Sequence, residues 1–361
     1  MAWKQSSWRN IQSLLIVNKL RIGFKILSVF YCLKSIFLEI IYYNNKKEYS
    51  KKYKKRVILV SKILVVGSLN LDYVIEVENM PKAGETIFGK SLKKVPGGKG
   101  ANQAYAIGKL GGDVAMIGAV GDDDAGQILL NNLKSVNVDT RGIEIIKENV
   151  TGQAYIYVDA NGQNCITVIS GANAVVDRDM INRNMELIDD AEYIVMQFEV
   201  PVDTVKYVKD IAVSKGKKVI IDPAPAIKNP DINLWKGCHI IKPNELELAT
   251  LIGKELNNIK EYKEAATELH KTDVDYVIST LGGDGAIMHD GENLKRFDCK
   301  KTKVVDTTAA GDTFTAGLVI ALNEGKSIEE AIDFGQRAAA IAVSKKGAQT
   351  SIPSRDELKN I

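Results

Sequence analysis

The first buried-strand pattern in the chain is Lys62-Ile63-Leu64-Val65-Val66-Gly67. A short apolar run that ends in glycine is typical of a strand buried on both faces. Similar runs follow at Val114–Gly118, Tyr193–Phe198, Lys218–Ile221, His239–Ile241 and Tyr276–Thr280. Helical patterns lie between them, at Ala101–Leu110, Asp203–Lys215, Ile259–His270 and Ile328–Lys345. This alternation predicts an α/β fold with a mostly parallel central sheet and helices on both faces.

Two stretches interrupt the alternation and predict a second, smaller sheet. Tyr73–Val77 and Thr86–Val95 carry partial period-two patterning, and Gln153–Val158 and Cys165–Ser170 flank the hairpin signal Asn161-Gly162. These four strands, within about residues 73–97 and 150–170, are expected to form a small antiparallel sheet that projects from the main one. Such a sheet leaves an apolar face bare, so it is expected to cover a substrate, a second subunit, or both.

Composition and charge exclude several classes of protein. Of the 361 residues, 45% are hydrophobic and 26% are charged, which is ordinary for a soluble globular chain. Thirteen basic and two acidic residues lie in 1–61, so this segment carries +11 and the remainder −8. An acidic domain does not favour a nucleic-acid partner. The four cysteines are scattered and the three histidines lack ligand spacing, which favours reduced thiols in the cytoplasm and no zinc site.

Residues 1–61 form a basic, apolar N-terminal extension to the domain at 62–361. Charges such as Lys34 and Glu39 interrupt its apolar runs, so it has no uncharged stretch of about 18 residues to span a bilayer. Its richness in Lys, Asn, Ile, Tyr and Phe is what AT-rich triplets encode. We therefore expect upstream DNA read as protein, with translation beginning at Val60. A basic amphipathic surface helix is the alternative.

The segment from Val304 to Phe314, VVDTTAAGDTF, is the first candidate for chemistry. The pattern predicts the end of a strand, a turn of small residues and the start of a helix. Ala310 and Gly311 have little or no side chain, so an anion can approach the backbone N–H groups at this helix N-terminus. Asp312 then lies in the first helical turn, where the helix dipole alone would also favour a carboxylate.

A glycine-rich segment, Gly97-Gly98-Lys99-Gly100-Ala101-Asn102-Gln103, is the second candidate. Three glycines in four residues before a helix allow close backbone approach to a polar ligand, although a flexible turn has the same composition. A literal P-loop match at Gly84–Ser91 is a coincidence by contrast. Pro81 precedes it and no helical pattern follows, whereas a P-loop joins a buried strand to a helix.

Residues 62–355 resemble the ribokinase family of carbohydrate kinases. Gly97–Asn102 is similar to the family's first signature, and Asp306–Asp312 to its second. The resemblance implies ATP-dependent phosphorylation of the primary hydroxyl of a sugar, with D-ribose and D-ribose 5-phosphate as the expected substrate and product. Same-family kinases for deoxyribose, fructose or a nucleoside stay open, as does a non-catalytic sugar- or nucleotide-binding regulator. No Gly-x-Gly-x-x-Gly follows the first strand, which argues against a dinucleotide oxidoreductase.

The resemblance also implies roles for individual residues. Asp312 would be the catalytic base, with the backbone N–H groups of Ala310, Gly311 and Asp312 holding the developing charge. The implied sugar contacts are Asn70, Leu71, Asp72, Gly98, Lys99, Gly100, Ala101, Asn102, Glu199 and Asp312. The implied nucleotide contacts are Asn244, Glu247, Thr280, Leu281, Gly282, Gly283, Asp284, Gly285, Gly311, Asp312 and Gln336.

The resemblance also implies a Mg²⁺ ion, a K⁺ ion and a homodimer. Asn244 and Glu247 match an Asn-x-x-Glu element implicated in placing Mg²⁺ and the phosphates, although the same pattern caps a helix. The implied potassium ligands are Asp306, Thr308, Ala342, Lys345, Gly347 and Ser351, an oxygen-only set that suits a hard cation. The implied partners are ATP, a sugar and a second copy bound through the small sheets, with no nucleic acid and no membrane.

Overall fold

The structure is a computed structural model that describes residues 63–359. The predicted N-terminal extension at 1–61 lies outside the described residues, as do residues 62, 360 and 361. The expected start of translation at Val60 therefore stays a prediction.

The apolar runs predicted as strands form the central sheet. Its strands are β1 (Ile63–Val66), β4 (Val114–Gly121), β5 (Asp139–Ile146), β8 (Tyr193–Gln197), β9 (Lys218–Asp222), β10 (Ile240–Ile241), β11 (Tyr276–Thr280), β12 (Ala286–His289) and β13 (Leu294–Phe297). Their order is β13-β12-β11-β10-β9-β8-β1-β4-β5. The β11–β12 and β12–β13 pairs are antiparallel and the other pairs are parallel. The predicted mostly parallel sheet is confirmed, while β5, β12 and β13 have no counterpart among the predicted strands.

Helices cover both faces of this sheet, as predicted. They are α1 (Lys99–Lys109), α2 (Asp124–Ser135), α3 (Arg178–Arg183), α4 (Met185–Asp190), α5 (Val202–Ser214), α6 (Glu245–Ile252), α7 (Ile259–His270), α8 (Ala310–Asn323), α9 (Ile328–Val343) and α10 (Arg355–Leu358). Alternate side chains of β1 enter two separate hydrophobic cores, with Ile63 and Val65 in one and Leu64 and Val66 in the other. None of the helices within 63–359 combines the length and the apolar composition of a membrane span.

Four further strands form the small sheet. They are β2 (Asn70–Glu76), β3 (Ser91–Gly97), β6 (Gly152–Val158) and β7 (Asn164–Ile169), in the order β3-β2-β6-β7. The β2–β3 and β6–β7 pairs are antiparallel, but β2 and β6 run parallel. The expectation of a fully antiparallel sheet is therefore wrong at its centre. Since β2 follows β1 and β6 follows β5, both strands leave the same edge of a parallel sheet and run in the same direction.

Two strand predictions are also wrong. Strand β3 begins at Ser91, so Thr86–Lys90 is not part of it. Phe88 in that segment is 97% exposed and has no face to pack against. Val304 and Val305 are not in a strand either; they are 62% and 53% exposed, although Val305 N donates to Val343 O at 2.7 Å. An apolar pair without a neighbouring strand has no ladder to join.

Candidate active site

Predicted site residues from several parallel strands lie at the carboxyl edge of the central sheet. The chain leaves β1 toward Asn70, β8 toward Glu199 and β10 toward Asn244, and all three strands are parallel. Parallel strands place their carboxyl ends at one edge, so residues far apart in sequence converge there. Helices α1 and α8 also lie near this edge. The side-chain amides of Asn102 and Gln103 on α1 donate to Asp312 in the first turn of α8.

Asp312 is held by two amide donors. It is 7% exposed in the first turn of α8, as predicted. Asn102 Nδ2 donates to Asp312 Oδ2 at 3.0 Å, and Gln103 Nε2 donates to Asp312 Oδ1 at 3.0 Å. Both amides come from the first turns of α1, so the glycine-rich segment and the Asp312 turn, 209 residues apart, form one site. The carboxylate is thereby fixed in orientation.

The turn before Asp312 has an unusual backbone. Ala309 is the N-cap of α8 and has φ +58°, a left-handed conformation that costs a non-glycine residue about 1–2 kcal/mol. The N–H of Ala310 donates to Thr307 O at 3.2 Å. At the start of a helix the next N–H groups, those of Gly311 and Asp312, lack an intrahelical acceptor. Two donors are therefore directed at the space before the helix, rather than the three that were predicted.

The glycines of the first signature permit close packing of backbone on backbone. Gly98 has φ +86°, and a Cβ on it would lie 2.7 Å from Asn70 N. A Cβ on Gly100 would lie 2.5 Å from Ser68 N. The start of α1 thus rests directly on residues 68–70, which explains why only glycine fits there. Leu71 and Ala101, also predicted contacts, direct their side chains into the hydrophobic core.

Asn173 orients the predicted sugar-binding residue Asn70. Asn173 Nδ2 donates to Asn70 Oδ1 at 2.8 Å, and Asn173 Oδ1 accepts from Leu69 N at 2.9 Å. Since the Oδ1 atom of Asn70 is engaged, its Nδ2 atom is the group directed to a ligand. Nothing in the local sequence signals Asn173, which lies in a 3₁₀ turn at Gly171–Val175.

Glu199 fastens the start of α1. Its Oε2 atom accepts from Lys99 N at 2.9 Å and from Ser68 Oγ at 2.5 Å. Burial would lower the pKa of Lys99, but the carboxylates around it, led by Asp312, raise the pKa above its ordinary value. The Lys99 ammonium is therefore kept charged within an acidic site.

Among the carboxyl groups of the site, that of Asp72 has the pKa shifted furthest from its ordinary value. Burial, followed by the charge of Glu199, raises the pKa of Asp72 from 3.8 to about 7. The site thus places two carboxyl groups near each other in a desolvated position, where a ligand hydroxyl can donate to the ionised form.

This shift predicts that stability depends on pH. The folded protein keeps a proton on Asp72 that the unfolded chain releases, because the folded pKa of about 7 exceeds 3.8. The resulting contribution to the free energy of unfolding is complete below about pH 4 and is lost as the pH rises through about 7. In thermal unfolding without ligand, we expect Asp72→Asn to lose less stability than wild type between about pH 5 and about pH 8. An unchanged pH dependence would contradict this; Asp298→Asn, at a 96% exposed carboxylate, is the control.

The predicted nucleotide residues adjoin one another at the ends of β10 and β11. Asn244 pairs with Thr280 in a parallel bridge, and Thr280 N donates to Pro243 O at 3.1 Å. Asn244 and Glu247 form a capping box at the start of α6, with both bonds at 2.8 Å. Beyond Thr280, Leu281 leads into the turn at Gly282–Asp284, where Gly282 and Gly283 have open space around them.

Two more nucleotide predictions lie at the β13 side. A Cβ on Gly285 would lie 2.0 Å from Phe297 O, so only glycine fits beside β13. Gln336, on α9, is buried, and its Nε2 atom donates to Phe297 O at 3.2 Å. Gly285 and Gln336 therefore contact the same carbonyl group, which places the end of the loop and helix α9 together.

Asp306 joins the loop before α8 to the loop after α9, and these loops contain all the predicted potassium ligands except Ala342. Its Oδ1 atom accepts from Thr308 N at 2.9 Å and from Thr308 Oγ1 at 2.6 Å, and its Oδ2 atom accepts from Gly347 N at 2.8 Å. Burial raises the pKa of Asp306, but these hydrogen bonds lower it below its ordinary value. The carbonyl of Ala342, in the last turn of α9, accepts from Lys345 N at 3.1 Å, and Ser351 lies buried in the loop after α9.

Besides Asn173, three residues near Asp312 had no role assigned from the sequence. Gln103, Asp222 and Lys242 are buried behind Asp312, and Lys242 Nζ lies 3.0 Å from Asp222 Oδ2. Asp222 ends the apolar strand β9, a position from which a polar function can be suspected. Lys242 Nζ also lies 3.5 Å from where a Cβ on Gly311 would stand, so a buried cation adjoins the turn before Asp312.

In comparisons with known proteins, the family model of the pfkB family carbohydrate kinases matches residues 60–355. The chain is 39% identical to ribokinase of Haemophilus influenzae, over 82% of this chain and 96% of that protein. It is 33% identical to deoxyribokinase of Salmonella typhi, with the same coverage of 82% and 96%. The structure of Arabidopsis thaliana ribokinase complexed with ribose and ATP matches with a TM-score of 0.80 and 33% identity, over 83% of this chain and 98% of that one. With this match across the domain, the chain belongs to the pfkB family of carbohydrate kinases.

Proposed function

We propose that this protein is a kinase that transfers the γ-phosphoryl group of ATP to the primary hydroxyl of D-ribose and yields D-ribose 5-phosphate. The observation that carries the proposal is the buried Asp312 carboxylate, held at both oxygens by amides of α1 and seated at a helix N-terminus. The ribokinase relatives, and the ribose and ATP named for the Arabidopsis structure, support this substrate pair.

The mechanism follows from what each group can do. Asp312 accepts the proton of the sugar hydroxyl as the hydroxyl oxygen attacks the γ-phosphorus, the bond to the β,γ-bridging oxygen breaks, and ADP leaves. The N–H groups of Gly311 and Asp312 donate to the phosphoryl oxygens at the start of α8, where the helix dipole also favours negative charge. The Lys242 ammonium beside Gly311 adds positive charge at the same point.

On the sugar side, Asn70 Nδ2 and the carboxylates of Asp72 and Glu199 supply one donor and several acceptors for hydroxyl groups. The hydrogen bond from Asn173 Nδ2 to Asn70 Oδ1 keeps the Nδ2 group of Asn70 directed at the sugar. The small sheet, joined to the site through Asn70 and Gly98, excludes water from the phosphoryl group.

Asn244 and Glu247 fit a hydrated magnesium ion. Burial and the neighbouring Asp222 raise the pKa of Glu247, so a cation nearby would relieve both effects. Magnesium usually keeps several waters and binds through one or two protein oxygens, and an Asn amide and a Glu carboxylate offer such oxygens. Bound Mg²⁺ would neutralise charge on the phosphates of ATP.

The loops joined by Asp306 fit a potassium ion. Asp306 keeps its charge, and the turn it organises runs directly into Ala309–Gly311. We expect turnover to be several-fold higher in potassium than in sodium buffer of equal ionic strength, because an ordered turn positions the donors of α8. Asp306→Asn should abolish this difference. Equal rates of wild type in the two buffers would show that no potassium site operates.

We also propose a cytoplasmic homodimer formed through the small sheets. Ile166 and Val168, two residues apart on β7 and so on one face, are 53% and 57% exposed. Cys165, Cys238 and Cys299 are free thiols, in keeping with a reducing compartment. A monomer mass in solution would contradict the dimer.

A sugar panel tests the substrate. Purified protein with ATP, Mg²⁺ and K⁺ is scored for ADP release on ribose, 2-deoxyribose, fructose and a nucleoside. We expect the highest kcat/KM on ribose. Since a deoxyribokinase is among the relatives, a higher value on 2-deoxyribose would keep the reaction and change the substrate. A folded protein that binds ATP but turns over none of these would instead be a sugar- or nucleotide-binding regulator.

A further inference from the structure

A buried amide connects the proposed catalytic base to a buried ion pair. Gln103 is fully buried on α1. Its Nε2 atom donates to Asp312 Oδ1 at 3.0 Å and to Asp222 Oδ2 at 2.9 Å. A carboxylate only accepts hydrogen bonds, so the nitrogen of this amide must face the two acids. The Oε1 atom of Gln103 then faces Gln197 Nε2, from which it accepts at 2.6 Å.

Asp222, which accepts from Gln103, is itself held by a buried ion pair with Lys242. Asp222 ends β9, and its Oδ2 atom lies 3.0 Å from Lys242 Nζ, with 3% of each side chain exposed. A buried ion pair of this kind stabilises a fold little by comparison with apolar packing, so its retention calls for another reason. Here the pair supplies a fixed anionic acceptor on one side of the Gln103 amide. Asp312 occupies the other side.

A third residue, Gln197, also holds the side chain of Gln103 by a hydrogen bond. Gln197, the last residue of β8, is fully buried, and a Cβ on Gly67 would lie 2.1 Å from its Oε1 atom. Gly67 therefore gives Gln197 the space to reach Gln103. The amide of Gln103 is thus restrained by Gln197, by Asp222 and by Asp312, and it has no freedom to rotate without losing hydrogen bonds.

We infer that Gln103 is a positioning residue that holds the Asp312 carboxylate in its reactive orientation, anchored through Asp222 to Lys242. Gln103 acts through Asp312. The inference rests on the proposed kinase function, in which Asp312 must face the attacking hydroxyl. Asn102 holds the opposite oxygen of the same carboxylate at 3.0 Å, so loss of Gln103 leaves Asp312 with one amide anchor.

The test is a set of kinetic measurements on the full chain, with the sugar that the wild type phosphorylates best. Gln103→Leu removes the hydrogen bonds. We expect its kcat to fall by about 10²-fold, the order of loss that a misplaced catalytic group causes, while KM for sugar and for ATP stays within about threefold. Gln103→Glu should be at least as slow, because a third carboxylate repels Asp222 and Asp312. Full kcat in either variant would overturn the inference.

A double variant tests the anchor. Asp222→Asn keeps an acceptor oxygen for Gln103 but loses the charge that pairs with Lys242, so its kcat should fall less than that of Gln103→Leu. If Asp222 acts through Gln103, Gln103→Leu/Asp222→Asn should be no slower than Gln103→Leu alone. Independent, multiplying losses would show that Asp222 does not act through Gln103.

A matched control separates position from stability. Thr272→Val removes a buried hydrogen bond to Leu269 O, 2.6 Å long. Thr272 lies between α7 and the amino end of β11, at the edge of the central sheet opposite the site. The variant should lower the thermal unfolding midpoint and leave kcat unchanged. A lower kcat for Thr272→Val would show that stability alone reduces the rate. If Gln103→Leu does not fold, Gln103→Met, which keeps the unbranched shape, carries the same expectation.

A crystal structure of Gln103→Leu tests the inference without turnover. The Asp312 carboxylate should rotate away from the position seen with both amides, while the backbone of α8 stays in place. If the wild type phosphorylates no sugar, the proposed function fails, and this rotation still decides the role of Gln103. An Asp312 carboxylate that keeps its orientation in the variant would overturn the inference.

Discussion

Replacing Asp312 by asparagine is expected to lower kcat by about 10²–10⁴-fold, the contribution of a positioned general base, and to leave sugar binding largely intact. The carboxylate accepts from Asn102 Nδ2 and Gln103 Nε2 at once. An asparagine amide offers one acceptor and one donor group, so it satisfies only one of those donors and has no basic oxygen for the hydroxyl proton. Steady-state kinetics and calorimetric titration with sugar measure the two effects separately.

The control for this substitution is Asp298→Asn, which makes the same chemical change at a carboxylate that is 96% exposed. Its kcat should equal that of the wild type. Substantial turnover by a folded Asp312→Asn enzyme would remove Asp312 from the role of base. Loss of sugar binding together with turnover would instead indicate that Asp312 contributes mainly to binding.

Replacing Gly98 by alanine is expected to lower kcat/KM for the sugar by about 10²-fold, since displacement of a binding group by about 1 Å has consequences of that order. The residue has φ +86°, and its new Cβ would lie 2.7 Å from Asn70 N and 3.1 Å from Ser68 O. These are backbone atoms, so either α1 or residues 68–70 must move. Both carry predicted sugar contacts, and the loss should appear mainly in KM.

Gly162→Ala is the matched control, because Gly162 has a similar φ of +78° with nothing within 4 Å of its Cβ position. It bears only the left-handed strain of about 1–2 kcal/mol, in the turn between β6 and β7. The thermal unfolding midpoint should fall in both variants, and kcat/KM only in Gly98→Ala. An equal loss of kcat/KM in the two would mean that strain, and not contact with residues 68–70, matters at Gly98.

The central-sheet strands that could be predicted are buried on both faces, although the four-residue strand β12, which is also buried, was not predicted. Ile63–Val66 is continuously apolar because each face of β1 packs against its own core. Strands at the margin of the central sheet do not have this signature: Lys295 and Arg296 in β13 are exposed, and β5 carries Asp139 and Arg141. Their polar residues face water, so the pattern resembles that of a loop.

For the small sheet, the hairpin could be predicted from the sequence, but one strand pairing could not. Period-two patterning and the Asn161-Gly162 turn predicted its hairpin correctly, because both depend on neighbours in the chain. The parallel pairing of β2 with β6 depends on where β1 and β5 end in space. Period-two alternation of apolar and polar residues indicates that a segment is a strand. It does not indicate which strand is its neighbour in the sheet, so this pairing could not be predicted.

Local sequence patterns predicted the α/β class and the two segments that meet at the site, since buried strands, small residues and helix starts are local properties of the chain. Asp312 could be singled out for that reason. Which side chains face one another depends on the folded chain: Gln103 lies between Asp222 and Asp312, Asn173 directs the amide of Asn70, and Lys242 adjoins Gly311. These contacts join residues about 70 to 210 positions apart, and parallel strands bring them together at one edge without leaving a periodic trace in the sequence.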